Sequence, residues 1–216
     1  MGIIHANKRS ISFRLNDAPL SKQGKKQRRE GLLKSTSEEL NKIPFLFSDD
    51  VEITIELFLH EQNRYETDRS ADIDNVVKPL LDVMTGPNGL MIDDNQVQSI
   101  RNFWVDTDES EHAIVTVSPL LEGTVQKGGL VFVNMWKQMY FPLNEKLPPK
   151  AVSLFLDALS GHIKTRNYLE QNGADYNTLR RMLPIQRLFH KTRITAFNVK
   201  SFDEMRNLFP TTKPDV

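Results

Sequence analysis

The segment "DIDNVVK", residues 72–78, sets Asp72 and Asp74 two positions apart, follows them with Asn75 and brings Lys78 four positions after Asp74. Side chains at i and i+2 of an extended chain project from one face, so the two carboxylates can point together while Ile73 turns into a core. If a helix starts at Asp74, Lys78 falls one turn later on the same side. A further carboxylate source is "IDD", residues 92–94, where Asp93 and Asp94 follow a turn that could return to the head of that helix. Three aspartates and a lysine would then converge. Carboxylate oxygens select hard cations, Mg²⁺ or Mn²⁺. An ion held this way keeps positions open for water and phosphate, and Lys78 could hold the scissile phosphate or steady the leaving oxygen. The same spacing also suits an ordinary surface ion pair and two helix-capping groups. Asp82 lies eight residues beyond Asp74, roughly 12 Å along a helix, and reads as the ion-pair partner of Lys78 rather than as a ligand.

The elements that must carry these residues follow from hydrophobic spacing. "VEITIELFLH" puts Val51, Ile53, Ile55, Leu57 and Leu59 on one face, the clearest strand of the sequence. Val77, Leu80, Leu81 and Met84 have helical spacing, so residues 75–84 are expected to be helical, ended by Gly86 and Pro87. Pro79 is tolerable only near a first turn, which puts the helix start close to Asp74 or Asn75. "SISFRLN", "SIRNFWVD" and "HAIVTVS" read as further strands, the last two joined by the acidic stretch "TDESE". "SKQGKKQRREGLLK" has the polarity of an exposed helix or arm, weakened by Gly24 and Gly31. Mixed periods over some 115 residues predict an α+β domain: a mixed, mostly antiparallel sheet with its helices on one side.

The small residues of "LLEGTVQKGGL" mark a boundary, giving expected domains at 1–122 and 123–216. Beyond it "LVFV" suits one more strand. "PPKAVSLFLDALSG" suits a helix that stops at Gly161, Asp175 caps another running through Leu183, and "SFDE" at 201–204 has the form of a capping box. The extension is therefore expected to be mainly helical.

Composition removes other chemistries. The absence of cysteine excludes disulfides, thiol nucleophiles and thiolate metal sites, and His5, His60, His112, His162 and His190 are too dispersed for a zinc spacing. No run of about 18 apolar residues and no cleavable leader pattern occurs, so a soluble, cytoplasmic protein is expected. The net charge of zero conceals a segregation. Residues 1–34 hold nine Lys and Arg against two acids, residues 35–122 five against nineteen, and residues 123–216 fourteen against seven. Basic flanks around an acidic, cation-binding centre suit a polyanionic partner; they equally suit solvated faces.

Taken together, "DIDNVVKPLLDVMTG" and "IDDNQV" resemble the core signature of the RusA family of Holliday junction resolvases, through Asp72, Asp74, Asn75, Lys78, Asp82, Asp94 and Val97, over residues from about 10 to 120. The resemblance implies that Asp72, Asp74 and Asp94 bind Mg²⁺ or Mn²⁺, that Lys78 is needed for cleavage, and that a homodimer nicks paired strands of a four-way DNA junction. The expected function is thus a metal-dependent, structure-selective endodeoxyribonuclease cleaving Holliday junctions or related branched DNA. A non-catalytic junction-binding or assembly module is one alternative. A nuclease of the same type acting on other DNA, in a defence or mobile-element system, is another. Arg69, beside the first ligand segment, is the best-placed phosphate contact, with Arg64 just before it and Lys25, Lys26, Arg28 and Arg29 as an N-terminal clamp or a solvated face. In the extension, Lys164, Arg166, Arg180, Arg181, Arg187, Lys191 and Arg193 suit a second DNA surface, a cap that binds a protein partner, or an ordinary basic surface.

Overall fold

The computed structural model of the chain describes residues 2–16, 26–67, 73–182 and 187–210, and of 26–29, 73–75, 181 and 182 the backbone alone. The chain divides into two compact units, 1–124 and 125–216. The first runs β1 (Gly2–Ala6), β2 (Ile11–Asn16), α1 (Lys26–Asn41), β3 (Phe45–Phe47), β4 (Val51–Leu59), α2 (Glu61–Tyr65), α3 (Ile73–Met84), a 3-10 turn (Asp94–Gln96), β5 (Val97–Asp106) and β6 (His112–Pro119).

Five strands form one sheet in the order β1-β2-β6-β4-β5. Only β4 and β5 pair in parallel, because α3 carries the chain back between them; the other neighbours are antiparallel. The alternation of β4 is realised: Val51, Ile53, Ile55, Leu57 and Leu59 are buried, the first four in one core with Ile11, Phe13 and Leu15 of β2 and Val115 and Val117 of β6. Leu40 of α1 and Val76, Leu80 and Met84 of α3 close over that same face. This is the α+β arrangement expected, with both long helices on one side of a mostly antiparallel sheet. The "TDESE" stretch does not make a hairpin, since β6 lies between β2 and β4 and the connection from β5 must pass over β4.

Helix α3 differs from its sequence reading in two respects. Its buried line runs Val76, Leu80, Met84, with Val77 and Leu81 packed on the flank. Its start is Ile73, so that Pro79 lies in the interior rather than the first turn. An interior proline forfeits one helical hydrogen bond and crowds the carbonyl four residues back, about 3 kcal/mol in an unsupported helix. Burial of Leu80 and Met84, at about 1.5–3 kcal/mol each, offsets that cost.

The helix ends in a tight reversal. Gly86 has φ +94°, and the Leu90 and Met91 amides donate to the Met84 carbonyl at 2.7 and 3.1 Å. A methyl group on Gly89 would collide with that carbonyl. Gly89→Ala is therefore expected to destabilise the first unit by about 2–3 kcal/mol, read from the urea midpoint, because backbone rather than a movable side chain must give way.

The second unit holds β8 (Leu130–Trp136), β9 (Met139–Asn144), α4 (Pro149–Gln171), α5 (Tyr176–Met182), β10 (Phe189–His190), β11 (Val199–Lys200) and α6 (Phe202–Leu208), while β7 (Thr124–Gln126) spans the division between the units. Helices account for most of its regular structure, but it also builds a four-stranded sheet, β10-β9-β8-β11, from more strands than the single one expected. Val131, Val133, Met135, Phe141 and Leu143 pack there against Val152, Leu156 and Leu159 of α4 and Met205 of α6. Helix α4 does not stop at Gly161; it continues to Gln171, because about 1 kcal/mol for one glycine is small beside that burial. Its true stop is the turn at Gly173, φ +79°. Asp175 Oδ1 then accepts the Thr178 amide at 2.7 Å, and Ser201 and Glu204 form both halves of the expected capping box.

Desolvation lowers the Lys127 ammonium to about 8 from an ordinary 10.5. Between those values the unfolded chain holds the extra proton, so stability is expected to rise with pH across that window. Urea midpoints at about pH 7 and about pH 9.5 should show the rise in the native protein and lose it in Lys127→Met.

Candidate active site

The residue that organises the turn after α3 is Gln96, fully buried at the foot of β5. Its Oε1 accepts the Ile92 and Asp93 amides at 2.8 and 2.9 Å, while its Nε2 donates to the Phe47 and Asp49 carbonyls at 2.9 and 2.8 Å. All four hydrogen-bonding sites of the side-chain amide are thereby used, and the turn is tied to the β3–β4 connection. Asp93 completes a capping box with Gln96 and accepts the Asn95 amide at 3.1 Å, so its carboxylate is buried in structural bonds. Asp94, the next residue, is exposed at the first position of the 3-10 turn. The "IDD" pair thus divides into one carboxylate that shapes the turn and one presented at the surface.

At the other end of α3, Asp74 occupies the first turn, and its side chain lies outside the described residues, as does the whole of Asp72. Lys78 is exposed and donates to Asp82 Oδ1 at 3.2 Å, the i, i+4 pair expected from sequence. An exposed pair of this kind is worth about 0.3–0.5 kcal/mol, so Lys78 is easily drawn to another anion. Ten residues of helix separate Asp74 from Met84, about 15 Å at 1.5 Å per residue, and Asp94 is tied beyond the Met84 end. The fold of one chain therefore holds the backbones of Asp74 and Asp94 at opposite ends of α3 instead of side by side. Among the described residues no three His, Asp or Glu side chains form a metal-holding group.

Residues 21–118, which contain every one of these positions, match the family model Endodeoxyribonuclease RusA. This stretch is similar to the RusA family. No curated protein matches the chain. The RusA match covers both the head of α3 and the Gln96 turn, and it ends within β6, so the second unit lies outside it.

Within the matched stretch the basic residues are distributed unevenly. Arg69 and Lys25 lie outside the described residues; Lys26, Arg28 and Arg29 belong by backbone to the first turn of α1. Arg64 is already engaged: its guanidinium stands 4.7 Å from the Tyr65 ring and 5.8 Å from that of Trp104, with an Asp106 oxygen at 3.8 Å. It bridges α2 and β5. Gln96 is the residue that site reading from sequence passed over as functional. The signal was present, since Asp93-x-x-Gln96 ahead of an apolar strand has the form of a capping box.

Proposed function

We propose that the first unit is a divalent-metal-dependent endodeoxyribonuclease acting on four-way or related branched DNA, with its cation site completed between two copies of the chain. The observation that carries the reading is the match to an endodeoxyribonuclease family over the stretch holding Asp72, Asp74, Lys78 and Asp94. The donor set suits the ion: Asp94 is an exposed carboxylate on a turn fixed by a buried network, and neither thiol nor imidazole stands beside it in sequence. Mg²⁺ or Mn²⁺, when bound, would supply Lewis-acid stabilisation of charge on the phosphate being cleaved. Asp72 and Asp74 of one chain and Asp94 of the other would hold it. That division follows from the length of α3, which separates Asp74 and Asp94 within a chain, and a two-fold pair can bring each to its counterpart.

Lys78 would leave Asp82 and turn its ammonium to the scissile phosphate or the departing oxygen, an exchange that costs little for so exposed a pair. Hydrolysis would leave 5′-phosphate and 3′-hydroxyl ends. The full chain, mixed with a labelled four-way junction and a linear duplex of the same sequence, is expected to nick the junction in Mg²⁺ or Mn²⁺ and to stop in EDTA. Cleavage indifferent to EDTA would rule out the mechanism, and binding without turnover would leave a junction-binding module.

A further inference from the structure

We infer that the second unit carries a nucleic-acid surface of its own, at the corner between α4 and α5, and that it takes the backbone and unpaired bases of single-stranded DNA. Residues 161–193 hold seven Lys and Arg against two acids, Glu170 and Asp175. Both acids are exposed but already partnered within the unit. Glu170 accepts Lys137 Nζ at 2.6 Å, and Asp175 caps α5 through the Thr178 amide at 2.7 Å; these partners hold both carboxyls below their ordinary range. Lys164 and Arg180 are exposed and have no carboxylate partner among the described residues. Their charge is available to a polyanion.

The aromatic residues sharpen the assignment. Tyr168 is 66% exposed and Tyr176 69%, the two most exposed large hydrophobic residues among those described. Tyr168 lies one turn beyond Lys164 on α4; Tyr176 lies one turn before Arg180 on α5. The turn at Gly173 joins the two pairs, with the Ala174 amide on the Leu169 carbonyl at 3.0 Å, and Leu179 of α5 is buried. Exposed Asn177 lies between Tyr176 and Arg180. Two exposed rings flanked by a cation on either side suit a sugar–phosphate chain whose bases stack on the tyrosines, whereas a blunt duplex offers the rings little to stack on. The choice of DNA as the polyanion rests on the function proposed for the first unit; the surface itself does not use that unit's residues.

The test uses the full chain, with metal withheld so that nothing is cleaved. Binding of fluorescent single-stranded DNA, blunt duplex and single-stranded RNA is followed by anisotropy over a salt series. Lys164→Ala with Arg180→Ala is expected to weaken single-strand binding about tenfold and to lower the magnitude of the salt slope by about 1.4, two phosphate contacts at about 0.7 each. Tyr168→Ala with Tyr176→Ala is expected to cost about tenfold or more on single strands and less on blunt duplex, and Tyr168→Phe with Tyr176→Phe to restore it. These positions are on the surface, and far-UV circular dichroism should be unchanged. Affinities within twofold of the native chain for both alanine variants, a stronger effect on duplex, or tighter binding of RNA would overturn the inference. A chain that shows these losses yet never nicks branched DNA would sink the reading of the first unit and leave this one standing.

Discussion

Gln96→Ala is expected to cost the first unit about 4 kcal/mol of stability, enough to bring a domain of ordinary stability close to unfolding. The cost lies in the groups left behind rather than in the side chain removed. The Ile92 and Asp93 amides and the Phe47 and Asp49 carbonyls all lose a partner in a place that Gln96 itself shields from water. Each unsatisfied buried group costs about 1–3 kcal/mol, and water entering the vacated space returns part of the sum. Gln96→Glu separates the two halves, since a carboxylate still accepts both amides but cannot donate to the carbonyls. It should fall between native and alanine in the urea midpoint. A loss under about 1 kcal/mol for the alanine variant would mean that the four groups are already hydrated. Because the network fixes the turn that presents Asp94, nicking should fall with it even in the fraction that remains folded.

Asp74→Asn is expected to lower nicking of a four-way junction by at least about 10³-fold, some 4 kcal/mol of transition-state stabilisation, while leaving junction affinity nearly intact. Equal loss of binding and cleavage would instead make Asp74 a structural residue of the helix head. Asp94→Asn should behave alike, and a mixture of the two inactive variants tests how the site is assembled. If each site takes Asp74 from one chain and Asp94 from the other, a mixed dimer contains one site with both substitutions and one with neither. Remixed chains should then recover a substantial fraction of native nicking, about a quarter at equal amounts with free exchange. Sites built within single chains would stay inactive in every combination, and no recovery would refute the shared arrangement.

Much of the first unit was legible before its coordinates, for a definite reason. β4 has a strict two-residue alternation with Val, Ile and Leu inward, and no other secondary structure buries that pattern on one side. The capping boxes at Ser201 and the Asp175 cap were readable because their geometry is local. Where tertiary burial overrides local preference, sequence reading went astray: Pro79 is interior to α3 and Gly161 is interior to α4, each held there by apolar contacts made by its neighbours. Of the extra strands of the second unit, β10 and β11 were missed because they are two residues long and exist only by pairing with β9 and β8. How Asp74 and Asp94 reach a common cation depends on the direction of return after α3, which spacing along the sequence does not encode. That α3 separates them is a property of the crossover between two parallel strands.

The register of β2 on β6 has a bearing on how the protein is made. Ile11 pairs with Val117 and Asn16 with His112, so the innermost strands of the sheet come from opposite ends of the first unit. The β1–β2 pair can form locally, but β2 cannot join the sheet until about a hundred further residues have emerged from the ribosome. Such long-range closure slows folding to the millisecond-to-second range. During synthesis the open edge of β4 must wait for β6, and it is then that aggregation or capture by a chaperone competes most strongly with the native sheet.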